Sequence, residues 1–126
     1  MSNQKISTDR GPKPAGPYSQ AIVAGNTIYV AGQGPLDPRT GQLVNASFEA
    51  EAVQTLENIA AILQAANFAL KDVVKVTVYL SDLGNFAQLN EIYRRYFQEP
   101  YPARATVGAT LLFDTRIEVD CIAVKE

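Results

Sequence analysis

The chain has 126 residues, 47% of them hydrophobic, and a formal net charge of -2. That length fits one domain spanning residues 1–126 around one core, and the composition excludes a disordered chain and lacks the basic stripe that grips a phosphate backbone. Histidine is absent and Cys121 is the only cysteine, which excludes Ser-His and Cys-His nucleophile pairs, imidazole metal sites and intrachain disulfides.

No signal peptide or 18-residue apolar run is visible. A soluble, cytoplasmic protein is therefore expected, with neither a membrane nor nucleic acid as its main partner. Cys121 alternates with Ile117, Val119 and Ala123 and reads as a small core residue.

In chain order, the first 17 residues carry Gly11, Pro12, Pro14, Gly16 and Pro17 and read as extended loop, with a short strand near Ile6. Ala21–Val23 and Thr27–Val30 read as strands around a turn at Ala24-Gly25-Asn26. Residues 34–41 form a loop broken by Pro35, Asp37, Pro38 and Gly41. Ser47 caps a helix with Glu49 and Glu51 in its first turn. Val53, Leu56, Ala60 and Leu63 have helical spacing, and Asn67 is the stop. Residues 73–80 read as a strand, with Val74, Val76, Val78 and Leu80 assigned to one face. A second helix starts near Asn85, with the stripe Phe86, Leu89, Tyr93, Tyr96 and Phe97, and ends before Pro100 and Pro102. Residues 104–112 and 116–124 are the last two strands, joined at Phe113-Asp114-Thr115.

This order predicts an α+β domain with helices on one face of a sheet. Periodicity does not fix the strand order, and a ferredoxin-like sheet is one arrangement that it allows. The last strand is apolar on both sides, with Ile117, Val119 and Cys121 one way and Ile122 and Val124 the other. Two helices cover only one face. The other is expected to pack against further copies of the chain in a closed ring.

Two segments suggest chemistry. Arg104, in Pro102-Ala103-Arg104, offers the planar two-pronged fork that binds a carboxylate. Glu118, in Ile117-Glu118-Val119, is a group that steers water or a proton. Together they point to a small acid that reacts with water. On spacing alone, both also read as ordinary surface charges. Glu118 and Asp120 share a face by alternation, so each can raise the other's pKa.

Two further segments complete an ordered set: Gly16-Pro17-Tyr18-Ser19-Gln20-Ala21 and Ala31-Gly32-Gln33. Over nearly its whole length the chain resembles the reactive-intermediate deaminase family, RidA/YjgF, also called endoribonuclease L-PSP. The resemblance implies a chorismate-mutase-like (YjgF/L-PSP-like) α+β sandwich: one mixed β-sheet, two helices on one face, assembled as a homotrimer with clefts between subunits. It implies hydrolysis of 2-iminopropanoate and 2-iminobutanoate to 2-keto acids and ammonia, without metal or cofactor, since an imine is already electrophilic. It gives Arg104 the substrate carboxylate and Glu118 the attacking water. It places Tyr18, Ala31, Gly32, Asn90 and Thr106 around the ligand.

The chain departs from the family pattern at Ala31, where a serine is frequent, and at Thr106, where a cysteine is common. These departures keep a non-catalytic binder of small acids as an alternative. An endoribonuclease or translation inhibitor is a further one, opposed by the missing histidine and basic stripe. A tight hairpin about Asp114 would put Arg104 opposite Val124, ~20 Å along a strand from Glu118. Either the last two strands are not neighbours or the site spans two chains.

Overall fold

The computed structural model describes residues 3–126. Strands β1 (Gln4–Ile6), β2 (Ala21–Ala24) and β3 (Thr27–Gln33) form an antiparallel meander. Gly25 makes the β2–β3 turn with φ 63°, a left-handed conformation that suits glycine. Then come α1 (Phe48–Ala65), β4 (Val73–Leu80), α2 (Phe86–Tyr93), β5 (Ala103–Gly108) and β6 (Ile117–Val124). The six strands form one sheet in the order β1-β2-β3-β6-β4-β5. β4 and β5 are parallel, connected through α2, and the other pairings are antiparallel. α1 packs over β3 and β6 and beside α2, leaving the opposite sheet face uncovered within the chain. This is the mixed-sheet α+β sandwich expected.

Helix α1 is specified locally. Ser47 Oγ accepts the Ala50 amide at 3.0 Å, satisfying one of the unpaired first-turn donors. Asn67 closes the other end in the left-handed conformation, φ 63°. Its amide donates to Gln64 O (3.0 Å), and that of Phe68 donates to Leu63 O (2.9 Å), the double bond of a Schellman motif. Leu56, Ile59, Ile62 and Leu63 are fully buried with Ile28, Val76, Val78 and Ile117. Each such side chain contributes about 1.5–3 kcal/mol by leaving water.

Two details differ from the sequence expectation, and the strand order settles whether the last two strands are neighbours. The strand register shifts between Val73 and Lys75, so Val73 is buried and Val74 is 48% exposed, off the face assigned to it. β5 ends at Gly108 rather than Leu112. β5 and β6 do not form a hairpin, because β4 lies between them.

The connection over residues 109–116 is instead tied to α1. Glu51 is buried and accepts the Arg116 amide on Oε1 at 2.8 Å, while Oε2 lies 2.9 Å from Arg116 Nε. That second approach is a charge contact rather than an aligned hydrogen bond. Among the described residues no helix is long and apolar enough to cross a membrane, and no group of three or more His, Cys, Asp or Glu is placed to hold a metal.

Candidate active site

The register of the central strands decides where the two charged candidates stand. Arg104 is level with Val76 on β4, and Val76 is level with Cys121 on β6. Val76 and Cys121 are buried beneath the helices, so Arg104 projects from the helical face. Glu118 is level with Tyr79 and lies between buried Ile117 and Val119. Alternation therefore turns Glu118 to the uncovered face. Two strand spacings and a three-residue offset along β6 put the Cα atoms about 14 Å apart, on opposite sides of the sheet.

Around Glu118 the elements converge closely. β3 carries a bulge between Val30 and Gln33, level with Cys121 and Val119. Ala31 and Gly32 form its extra length beside β6. A Cβ built on Gly32 would collide with Glu118 Oε2, so only glycine leaves that carboxylate its place. A cavity of about 310 Å³ opens here, lined by Tyr18, Ala31, Gly32, Leu36, Phe113 and Glu118. Tyr18 Oη accepts the Ala15 amide at 3.1 Å, which leaves the phenol's own hydrogen available to a ligand. Burial foremost, and then the nearby Asp120 charge, push the Glu118 carboxyl above its ordinary value.

Arg104 is held by α2. Its Nη2 donates to Asn90 Oδ1 at 2.6 Å. The guanidinium carbon lies 4.7 Å from the Tyr93 ring centroid and 5.7 Å from that of Phe86, within cation–π range. Burial pushes the Tyr93 phenol up to about 12, so its ring faces the cation as a neutral phenol. Arg94, Tyr101 and Pro102 complete a shallow pocket of about 210 Å³ with Asn90, Tyr93 and Arg104. Thr106 lies two residues further along β5, level with buried Val78 and so on the same face as Arg104.

One chain thus brings together Tyr18, Ala31, Gly32 and Glu118 as one group and Asn90, Arg104 and Thr106 as another. It does not bring the two groups together. Chemically the two groups differ: one holds a carboxylate with raised proton affinity, the other an oriented cation. Among the described residues, neither Arg104 nor Glu118 has an intrachain salt bridge.

Several supporting residues escape sequence reasoning. Gln20 is buried and staples the loop carrying Tyr18, donating to Thr8 O (3.0 Å) and Pro12 O (2.9 Å) and accepting the Thr8 amide (2.8 Å). Phe86 and Tyr93 belong to a helical stripe that reads as core, yet they clasp Arg104. Their signal is the spacing Phe86, Asn90, Tyr93, which places three residues on one side of α2. Tyr79 and Asp120 pair across strands, with no local signal in the sequence.

Comparison with known proteins agrees with this architecture. The family model described as Endoribonuclease L-PSP matches residues 8–125. A RutC family protein of Pyrococcus horikoshii is 52% identical over 96% of this chain and 97% of its own. The 2-iminobutanoate/2-iminopropanoate deaminase of Bos taurus is 46% identical over 95% of this chain and 88% of its own. The crystal structure of RidA from the Antarctic bacterium Psychrobacter sp. superposes with a TM-score of 0.94 at 46% identity, covering 97% of this chain and 99% of that one. With a matching scaffold, close relatives over nearly their full length and a family model spanning residues 8–125, the chain belongs to the RidA/YjgF (endoribonuclease L-PSP) family.

Proposed function

We propose that this protein is a homotrimeric deaminase that hydrolyses reactive 2-imino acids, such as 2-iminopropanoate and 2-iminobutanoate, to 2-keto acids and ammonia. The observation that carries the reading is Arg104: fixed by Asn90 and two aromatic rings, yet without a carboxylate partner among the described residues. A guanidinium ordered in advance loses less freedom on binding a small carboxylate.

The uncovered face of the sheet is where copies of the chain meet, with Tyr29, Val107 and Val124 among its exposed apolar residues. Each cleft takes Arg104, Asn90 and Thr106 from one subunit and Tyr18, Ala31, Gly32 and Glu118 from its neighbour. Arg104 binds the substrate carboxylate. Glu118 orients a water and accepts its proton as the oxygen bonds to the imine carbon. That proton passes to nitrogen, giving the carbinolamine; Glu118 then takes the proton of the new hydroxyl and delivers it to nitrogen as the carbon–nitrogen bond breaks, so that ammonia leaves and the carbon becomes a ketone. Raised proton affinity suits Glu118 to both transfers.

A coupled assay tests this. Threonine dehydratase generates the imine, and keto-acid formation is followed with and without the protein. Acceleration is expected. Binding of 2-oxobutanoate without acceleration would instead establish a small-acid binder.

A further inference from the structure

Glu118 is one of two carboxylates on the uncovered face of β6. Asp120 is the other, two residues away and also half-buried. Across the β4 pairing, Glu118 is level with Tyr79 and Asp120 with Thr77. Tyr79 does not serve the residue beside it. Its hydroxyl reaches diagonally and donates to Asp120 Oδ2 at 2.8 Å.

Within one chain the surroundings are sparse in countercharge. On β4, Lys75 donates to Thr77 Oγ1 at 3.1 Å, and Tyr79 is taken by Asp120. On β3, Tyr29 is level with Ile122, and the bulge brings only Ala31 and Gly32 to Glu118. From the loop before β2, Tyr18 and Lys13 line the cavity. Among the described residues, neither Glu118 nor Asp120 has a salt bridge.

Two neighbouring carboxylates with unequal environments divide their roles. The Tyr79 hydroxyl anchors the Asp120 carboxylate, whereas among the described residues no hydrogen bond anchors that of Glu118. We propose that Asp120, held on the same face of β6 by the Tyr79 hydroxyl, is a positioning residue for the proton that Glu118 carries in turnover. The assignment deepens the deaminase reading and rests on it for its role in turnover.

The balance of protons follows. The Asp120 charge favours the protonated form of Glu118, and that proton is available to a leaving nitrogen. Without the Asp120 charge, Glu118 ionises at lower pH and holds a proton less readily. Without the Tyr79 hydroxyl, the Asp120 carboxylate is no longer held in place and its effect on Glu118 weakens. The raised proton affinity of Glu118, to which Asp120 contributes, agrees with this. So does the raised affinity of the Tyr79 phenol, caused first by its bond to Asp120.

The test is a carboxyl-carbon NMR titration of the ¹³C-glutamate-labelled protein, with Glu118 assigned by its absence in Glu118→Gln. Asp120→Asn should lower the Glu118 midpoint by roughly 0.5–1 pH unit, as expected for a nearby charge at high effective dielectric. Tyr79→Phe, which keeps the ring and its shielding but frees the Asp120 carboxylate, should lower it less. The acid limb of the turnover profile should move with the midpoint. An unchanged midpoint in folded Asp120→Asn overturns the assignment. If that variant does not fold, an unchanged midpoint in Tyr79→Phe does so. The titration requires no imine, so wild-type protein that titrates as expected but gives no turnover would reject the deaminase reading alone.

Discussion

Arg104 and Glu118 stand on opposite faces of one sheet, level with Val76 and Tyr79 respectively on the strand between β5 and β6. No change of rotamer brings them to a common ligand, because the sheet itself lies between them. If both act on one substrate, they come from different subunits.

Mixed assemblies test that requirement. In the proposed homotrimer, Arg104→Ala and Glu118→Gln should each be nearly inactive, losing roughly 10- to 1000-fold and 100- to 10,000-fold in efficiency. After subunit exchange at equal ratio, random assortment leaves about one quarter of the interfaces with both native groups in a closed ring. Imine turnover should therefore return to about that fraction. No recovery after exchange has been verified by mass would refute the shared cleft.

The contact between Asn90 and Arg104 predicts a different signature. Asn90 touches the guanidinium rather than the scissile bond, and Phe86 and Tyr93 hold its faces. Asn90→Ala should weaken 2-oxobutanoate binding by roughly 10-fold, the loss of one charge-assisted hydrogen bond. Arg104→Lys should lose more, because an ammonium presents no planar fork. Calorimetric titration with 2-oxobutanoate measures both. Unchanged affinity in Asn90→Ala would mean that the aromatic rings alone orient Arg104.

Gly32 predicts a steric effect with little cost in folding. The added methyl of Gly32→Ala meets the Glu118 carboxylate, the far end of a side chain that faces a cavity. Glu118 should swing aside while the fold persists. A displacement of about 1 Å at a catalytic group costs on the order of 100-fold in rate. Turnover should fall by about that much, with the thermal midpoint nearly unchanged and 2-oxobutanoate binding through Arg104 retained. Full turnover would show that the carboxylate's position is not critical.

What the sequence made legible follows the range of each interaction. α1 is readable because its cap at Ser47, its apolar stripe and its stop at Asn67 all lie within the helix or within two residues of its ends. The inward set Ile117, Val119 and Cys121 is readable because alternation is local. Alternation misplaces Val74 because a bulge breaks it, and the bulge depends on pairing with β6. The insertion of β6 between β3 and β4 is likewise non-local, and so is the separation of Arg104 from Glu118. The motifs named the candidate residues; strand pairing alone determines that one chain holds them apart. The Tyr79–Asp120 bond, spanning 41 positions, lies beyond any local pattern.

Glu118 also carries a consequence for stability. Burial raises its proton affinity in the folded chain, with a smaller contribution from Asp120. Folded protein then binds more protons than unfolded protein between the ordinary glutamate value of 4.5 and the raised one. Stability contributed by protonated Glu118 is present below that window and lost as pH rises through it. Above the window, the ionised carboxylate is a net destabilising group. Glu118→Gln keeps the shape and removes the charge. Its urea midpoint should exceed that of the native chain at pH 7.5, and the difference should shrink towards pH 4.5. The comparison is made at equal protein concentration, since the unfolding of an assembly depends on it. A variant more stable at neutral pH but catalytically poor would mark Glu118 as a residue whose chemistry opposes its packing. Equal midpoints at both pH values would mean that the assembled protein compensates the charge, with the neighbouring subunit's guanidinium the nearest source.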